Sequence, residues 1–266
     1  MMRKYFSVLK TSFKQESKTI ANSISAVLSF FVIIYIFREL WGYIYGGNGG
    51  GTLINGYSFR MMLWYMIMAE ALMYSMNCRG VTQAFSNDIK SGKVAYQLNK
   101  PYNYLNYQVF SQCGEFLWRL VFLIPAGILM GLVLVGPIEN FSIAYVLPLL
   151  ISLLLATLLT CLVYGVVGLL AFWIEEATPF TWIIQKFVMI FGLFFPPEFF
   201  PAWLQPAITY SPVYAMMSGP CKLIANFSWD LFLSVSISQV AYLALTLAIG
   251  HIIYKFGTKK VNVNGG

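Results

Sequence analysis

The chain has 266 residues, of which 59% are hydrophobic and only 10% are charged, and its formal net charge is +7. Soluble domains carry roughly 25% charged residues, so this composition excludes an ordinary water-soluble domain and indicates a protein solvated by lipid. The positive charge does not indicate nucleic-acid binding, because most basic residues lie in three segments: the N-terminus, residues 88–101 and the C-terminus. We interpret this distribution as a topology signal, with anionic membrane lipids as the counter-charge.

Residues 1–20 form the first predicted element, an amphipathic helix lying in the inner membrane interface. On a helical wheel the apolar side chains share one face: Met2, Tyr5, Phe6, Leu9, Phe13 and Ile20. The basic side chains share the other face: Arg3, Lys4, Lys10, Lys14 and Lys18. A secretory signal peptide is disfavoured because the basic region is too long and no small-residue cleavage site follows it.

Six transmembrane helices are predicted within a single all-α membrane domain that covers residues 1–266. A helix that crosses a bilayer needs about 20 apolar residues, and six runs qualify, approximately at residues 21–45, 57–85, 107–135, 143–174, 180–196 and 231–254. Glycine-rich residues 46–51 form a flexible turn in the predicted outer segment, residues 46–56. Lysines after the last run return it to the inside, so both termini are expected in the cytoplasm.

Residues 196–228 are the predicted outer re-entrant region between the fifth and sixth spans. Prolines interrupt this apolar and aromatic interval repeatedly: Pro196, Pro197, Pro201, Pro206, Pro212 and Pro220. Non-helical backbone at membrane depth persists only where it is buried in protein or lines a cavity. We therefore expect short re-entrant helices at the outer leaflet. A seventh, kinked span is the alternative, but it places the C-terminal lysines outside.

The stretch from Asp88 to Pro101 is the only long polar interval inside this hydrophobic sequence. It carries three lysines, which predict a cytoplasmic position: Lys90, Lys93 and Lys100. Val94 and Leu98 give the segment an apolar stripe, which favours a docking surface for a soluble partner over a solvated linker. We assign the whole cytoplasmic segment to residues 86–104 and expect Gly92 to allow a tight turn.

Several ionisable residues fall within the predicted spans, among them Glu70, Glu115 and Arg119. Glu70 lies near the middle of the second span, where a charge costs at least ~3 kcal/mol unless it is paired or hydrated. We expect Glu70 to face a water-filled cavity or a subunit interface on a translocation route. The alternative is a protonated or hydrogen-bonded packing residue. Glu115 and Arg119 are spaced i,i+4, which predicts a structural intramembrane ion pair.

Motifs for catalysis, metals and nucleotides are missing from the sequence. Neither HExxH nor GxSxG occurs, and with His251 as the single histidine we expect no metal site. Gly92-Lys93 does not belong to a phosphate-binding loop, because Asn87 and Val94 occupy the positions that need glycine and serine or threonine. This chain is therefore not expected to bind ATP by that route, and if it takes part in ATP-driven transport, the ATPase is another polypeptide. The cysteines lack paired spacing and are expected to be packed hydrophobic residues: Cys78, Cys113, Cys161 and Cys221.

The order of these elements, together with two local patterns, resembles the permease subunit of a type-2 (ABC-2) ATP-binding-cassette exporter of the bacterial small-chain group. Residues 88–101 resemble the family segment "acidic residue–hydrophobe–basic residue–x–Gly … Leu-x-x-Pro". Residues 194–204 resemble the outer segment "P-x-x-x-(F/Y)-P-x-W-L". The resemblance covers nearly the whole chain and does not fix the substrate.

This resemblance implies a half-transporter in the bacterial cytoplasmic membrane. Two permeases, identical or paralogous, would pair with a dimer of cytoplasmic ABC ATPases, which bind the ATP and Mg²⁺. The coupling surface would comprise the N-terminal helix and residues of the polar segment: Asp88, Lys90, Gly92, Lys93, Val94, Leu98 and Pro101. We expect Val94 and Leu98 to insert into a groove of the ATPase. The exported substrate would be amphiphilic: a lipid, drug, peptide or lipid-linked sugar. A membrane scaffold or assembly factor that transports nothing is the alternative.

Overall fold

The computed structural model describes residues 2–46, 52–139 and 141–264. Its α-helices are α1 Met2–Glu16, α2 Ile20–Ile44, α3 Phe59–Ser75, α4 Cys78–Lys90, α5 Lys93–Leu98, α6 Tyr104–Leu134, α7 Val146–Gly168, α8 Ala171–Ile174, α9 Thr178–Val188, α10 Gln205–Thr209, α11 Gly219–Ala225 and α12 Trp229–Asn264. Short 3₁₀ helices cover Ile143–Tyr145 and Pro197–Phe199, and π-helical turns cover Met189–Leu193 and Tyr214–Ser218. Over the described residues the only strand-like pairing is one isolated bridge, Ile54 with Tyr57. Most of the predicted turn at residues 46–51 lies outside the described part.

Four helices in the described part of the chain are long and apolar enough to cross a membrane. They cover Ser23–Ile44, Tyr104–Leu134, Ile143–Ile174 and Trp229–Lys260. These positions agree with the first, third, fourth and sixth predicted spans, so the all-helical membrane architecture is confirmed. The predicted fifth span corresponds to a shorter apolar helix, Thr178–Leu193.

The prediction of one continuous second span over residues 57–85 is wrong. α3 ends at Ser75, and Met76 adopts an extended conformation with φ −76° and ψ 121°. The side-chain oxygen of Asn77 then accepts a hydrogen bond from the backbone N–H of Gly80 at 3.2 Å. This contact caps a new helix, because it satisfies one of the free amides in the first turn of α4. The apolar run is therefore divided between α3, which is almost entirely buried, and the amphipathic α4.

α6 runs along the bundle and defines two ends, which we name by their composition. At the basic end, where α6 begins, the N–H of Asn103 donates to the Tyr5 hydroxyl at 2.9 Å, and the Tyr104 N–H donates to the Tyr254 hydroxyl at 3.4 Å. These contacts bring α1 and the last turns of α12 to the same end as α4 and α5. The start of α1, the segment of α4 and α5 and the last turns of α12 therefore meet at one end of the bundle, as the topology prediction requires, while the rest of α1 continues along α6 as far as Arg119.

The proline-rich end, where α6 finishes, gathers the segments that were predicted to lie outside. Here the indole Nε1 of Trp64 donates to the Gly136 carbonyl at 3.2 Å. The rings of Tyr145 and Phe227 stack with their centroids 4.1 Å apart, joining the start of α7 to the segment before α12. Which face of a membrane each end meets stays a prediction.

The N-terminal helix is tightly packed against α6. A Cβ atom on Gly114 would lie 2.4 Å from the carbonyl oxygen of Leu9, so only glycine permits this approach. Beside this contact, Phe13 meets the Trp118 ring edge to face, with centroids 5.1 Å apart. The predicted helix is present, but its apolar face is covered in large part by α6. Its position in the inner membrane interface stays a prediction.

Residues 196–228 fold into short helices, as predicted. Pro197, Pro206 and Pro220 each occupy one of the first two positions of a short helix, where the missing N–H costs nothing. α11 is largely buried and packs against α3 and α7. A seventh span is absent from the described part of this region. The placement of these helices in an outer leaflet remains a prediction.

Candidate functional site

The predicted coupling segment forms two helices joined by a sharp turn. α4 ends at Lys90, and Gly92 has a φ of +71°, in the left-handed region that favours glycine. α5 then folds back toward α4 and the end of α12. The tight turn expected at Gly92 is therefore present.

Asp88 anchors this segment to the start of α6. Its carboxylate accepts a hydrogen bond from the Tyr104 hydroxyl at 2.7 Å. The same hydroxyl accepts a hydrogen bond from the side-chain amide of Gln108 at 3.2 Å. Tyr104 is fully buried, so the contact ties the end of α4 to the core. In this structure Asp88 holds the segment in place through α6.

Lys90 anchors the segment to the turn between α8 and α9. Its ammonium group pairs with the Glu176 carboxylate, and the Thr178 hydroxyl donates to the same carboxylate. Hydrogen bonds from Lys90 and Thr178 lower the pKa of Glu176 from 4.5 to about 2. Nearby, the Ala177 N–H donates to the Ser86 hydroxyl at 3.1 Å. The last turn of α4 is thus bound to the ends of two neighbouring helices.

The expectation that Val94 inserts into a groove of a partner is wrong. Val94 is only 3% exposed and belongs to the main hydrophobic core of this chain. Leu98 is partly buried and packs against the same core. The apolar stripe of α5 therefore faces inward, since the turn at Gly92 folds α5 onto the bundle. The involvement of this segment in ATPase coupling stays a prediction.

The outer face of α5 carries a different set of side chains. Tyr96 is 70% exposed, and the Nζ of Lys100 lies 4.5 Å from the centroid of its ring. Lys93 is exposed at the start of the helix, and Pro101 is exposed beyond its end. Sequence reasoning missed Tyr96. The available signal was its position two residues after Val94, which places the two side chains about 200° apart around a helix.

Arg119 does not form the predicted ion pair with Glu115. Its Nε and Nη2 atoms donate to one carboxylate oxygen of Glu16, at 3.1 and 2.9 Å. Glu115 instead accepts a hydrogen bond from the Asn77 side chain at 3.5 Å. The arginine therefore binds α1 to α6, and the i,i+4 spacing gave the wrong partner because α1 offers a carboxylate on the same side.

Glu70 lies on α3 and is 5% exposed. Most of the side chain is therefore packed within the chain, and its expected position at a water-filled cavity or a subunit interface stays a prediction. Over the described residues no hydrogen bond reaches its carboxyl group. Its predicted part in translocation stays a prediction.

A polar cavity of about 350 Å³ lies at the proline-rich end, which sequence reasoning did not anticipate. Glu198 and Lys222 form an ion pair in its wall, and the Tyr57 hydroxyl donates to Glu198 at 3.2 Å. The pair joins the Pro197–Phe199 turn to α11. Sequence patterns gave no signal for this ion pair, because Glu198 and Lys222 are 24 positions apart and only the folding of the proline-rich segment brings them together.

Comparison with known proteins identifies the family. A family model described as "ABC-2 family transporter protein" matches residues 23–265, which is nearly the whole chain except α1. No curated protein matches the sequence. The match includes the folded segment of α4 and α5, the short helices between residues 196 and 228, and all four long apolar helices. The resemblance inferred from the two local patterns is thereby confirmed, and the chain belongs to the ABC-2 transporter family, as a membrane transport component of that family.

Proposed function

We propose that this chain is the membrane-spanning subunit of an ATP-driven exporter that moves an amphiphilic substrate outward. Two such subunits, identical or paralogous, pair with two cytoplasmic ATPase subunits in a bacterial cytoplasmic membrane. ATP and Mg²⁺ bind to the ATPases. Family membership supports the transport role, and the basic end supplies the surface at which the ATPases dock.

The proposed topology has six crossings with both termini in the cytoplasm. The crossings are α2, α3, α6, residues 143–174, residues 178–193 and α12. α3 has 17 residues and rises about 26 Å at 1.5 Å per residue, which lies at the short limit for a bilayer. Its burial among α2, α6 and α11 supports this placement, because a short helix surrounded by protein needs little contact with lipid.

The observation that carries the proposal is the double anchoring of α4 beneath an exposed face of α5. Asp88 joins the segment to α6, and Lys90 joins it to the turn between α8 and α9. Lys93 and Tyr96 are exposed on the outer face of α5. A displacement of α5 by an ATPase is therefore passed to at least two of the proposed crossings through short polar contacts.

The decisive experiment is purification of the full chain from its native membrane, with identification of any ABC ATPase that co-purifies with it. We expect Tyr96→Ala combined with Lys93→Glu to reduce ATPase recovery and substrate-stimulated hydrolysis, while the permease remains folded. Tyr43→Ala is the matched control. Tyr43 is 86% exposed, like Tyr96, but it lies in the last turn of α2, at the proline-rich end and away from α5. Equal ATPase recovery from all variants contradicts docking at α5.

A scaffold that transports nothing is the second candidate function. Transport of a labelled amphiphile into inverted vesicles, dependent on ATP, separates the two functions. Glu70→Gln refines the result: if Glu70 acts in translocation, transport falls while assembly remains normal. Assembly with an active ATPase but no vectorial transport of lipids, drugs, peptides or lipid-linked sugars favours the scaffold.

A further inference from the structure

The polar cavity at the proline-rich end, with a volume of about 350 Å³, has a wall of two kinds. Met61 and Leu231 supply an apolar side, and every other described residue of the lining is polar or glycine. Asn55, Asn226 and Ser228 are exposed, so the cavity is reached from the surface of the chain. Cavities of this size bind small molecules, and a few well-placed polar groups fix the orientation of the ligand.

The charges in this wall cancel, and the structure holds them in place. Lys222 and the Tyr57 hydroxyl donate to different oxygens of the Glu198 carboxylate. Tyr57 is itself only 7% exposed, and its backbone carbonyl accepts a hydrogen bond from the Tyr45 hydroxyl at 2.9 Å. Glu198 and Lys222 are the charged members of the described lining. A ligand therefore meets a paired charge rather than a net one, which favours an uncharged ligand over an anion or a cation.

The same ion pair still offers hydrogen bonds to a ligand. Each carboxylate oxygen accepts about two hydrogen bonds and an ammonium group donates about three, so the contact between Glu198 and Lys222 uses only part of their capacity. Two neighbouring hydroxyl groups match such a pair, because one donates to the carboxylate while the other accepts from the ammonium group.

Three neutral side chains extend the polar wall: Asn55, Asn226 and Ser228. Asn55 and Gly56 have φ angles of 50° and 85°, and an isolated bridge joins Ile54 to Tyr57 across them. This tight turn, in which both central residues have positive φ, holds Asn55 at the cavity. A single amide group, as in a peptide bond, has too few donors and acceptors for this lining. A sugar ring offers several hydroxyl groups at its edge and an apolar C–H face toward the apolar side of the cavity.

We propose that this cavity binds an uncharged sugar headgroup, and that the exported amphiphile is therefore a glycosylated lipid. The naming of the substrate rests on the proposed function, whereas binding of the sugar needs neither ATP nor an ATPase. The alternative ligands differ from a sugar in charge. They are an anionic headgroup, and a zwitterion that opens the pair of Glu198 and Lys222 and binds to each half of it.

The test is native mass spectrometry of the delipidated full chain in a sugar-free polyoxyethylene detergent, because maltoside detergents would compete. The probes share the same acyl chains: glucosyl diacylglycerol, diacylglycerol, phosphatidylglycerol and phosphatidylethanolamine. We expect one site that prefers the glucosyl lipid, and an excess of methyl glucoside displaces that lipid. Equal affinities for methyl glucoside and for the glucosyl lipid would assign the cavity to a free sugar and overturn the glycolipid as substrate.

Two variants each remove one amide from the wall. Asn226→Ala and Asn55→Gly are expected to weaken binding of the glucosyl lipid roughly fivefold, the factor expected when one hydrogen bond is lost. Asn55→Gly keeps the turn, because glycine adopts a positive φ without strain. Asn99→Ala is the matched control, since Asn99 is also exposed but follows α5 at the basic end.

Glu198→Gln tests the neutrality of the site. It leaves Lys222 without its carboxylate, so phosphatidylglycerol should gain affinity roughly tenfold relative to the glucosyl lipid. Unchanged sugar binding in both asparagine variants overturns the proposal, as does a parent chain that prefers phosphatidylethanolamine or phosphatidylglycerol. Sugar binding without ATP-dependent transport of the glycolipid contradicts the proposed function alone. Transport of another amphiphile by a chain that binds no sugar overturns this inference alone.

Discussion

Arg119 and Glu16 form a well-shielded ion pair between the end of α1 and the middle of α6. Their side chains are 27% and 19% exposed, and two nitrogen atoms of the guanidinium reach one oxygen. Shielding strengthens such a contact, because less water screens the two charges. The pair fixes the last turn of α1 to the middle of α6, one turn beyond the close approach at Gly114.

Removal of this charge is expected to loosen α1. We predict that Glu16→Gln lowers the free energy of unfolding by about 1–2 kcal/mol, because Arg119 then lacks an ionised partner. Thermal unfolding of the detergent-solubilised chain measures the change, and trypsin cleavage at the lysines of α1 reports the local opening. Glu115→Gln is the control and is expected to have a smaller effect. A larger effect of Glu115→Gln would instead support Glu115 as the partner of Arg119, as the i,i+4 spacing predicted.

The Lys90–Glu176 contact has a defined pH dependence. The folded-state pKa of Glu176 is about 2, below its ordinary value of 4.5. The stabilisation is therefore complete above about pH 4.5 and is lost as the pH falls toward 2. Its size is less than about 1 kcal/mol, because both side chains are more than 40% exposed. We predict that Glu176→Gln unfolds at a lower temperature than the parent at pH 7. The two proteins should converge near pH 2, and a constant difference down to that pH would contradict the assignment.

At the scale of elements, the junction of α4 and α5 depends on one glycine. Gly92 has a positive φ and no atom within 4 Å of the position of a Cβ, so a side chain there costs only backbone strain. We predict that Gly92→Ala destabilises the segment by about 1 kcal/mol, measured by hydrogen exchange of the α5 amides. Gly42→Ala in α2 is the control: its nearest neighbour lies at 3.9 Å, and alanine is the better helix former. Equal hydrogen-exchange rates of the α5 amides in the two variants would show that alanine fits the turn at Gly92 without loss of stability.

Hydropathy predicted the long elements well and their interruptions poorly. Both ends of α2 and the start of α12 follow from the apolar runs, because a membrane helix must satisfy its backbone polar groups over its whole length. The break at Met76 did have a local signal, because Asn77 is followed by Arg79, Gly80 and Gln83, but an average of hydropathy over the whole run conceals it. The proline-rich helices after Pro196 were predictable, because proline restricts the backbone wherever it occurs.

The orientation of α5 shows the same limit for the candidate site. Val94 and Leu98 define an apolar stripe, and a stripe is buried equally well against a partner or against the chain itself. The spacing could not choose between these outcomes. Likewise, Glu16 and Arg119 are 103 positions apart, so only the packing of α1 on α6 reveals that they meet. Local patterns predicted a helical segment with a tight turn at Gly92. Tertiary contacts then determined which of its side chains remain exposed.

At the scale of the whole molecule, the lysine-rich segments lie at one end and the proline-rich helices at the other. We predict opposite membrane faces for Lys93 and Leu53, which is 66% exposed, because basic short loops are retained in the cytoplasm. The measurement uses single cysteines at these positions in a chain whose four buried native cysteines have been replaced by alanine. An impermeant maleimide added to intact cells should label position 53, and position 93 only after permeabilisation. Labelling of position 93 in intact cells contradicts the topology.

α12 is an unbroken helix of 36 residues, which corresponds to about 54 Å at 1.5 Å per residue. The hydrocarbon core of a bilayer is only about 30 Å thick, so several turns of α12 lie outside that core. A spin label at Lys259 is therefore held by the same rigid body that carries Trp229 at the opposite end. In a dimer, the distance between the two labels should therefore report rotations of α12 directly, because no flexible segment separates the label from the helix.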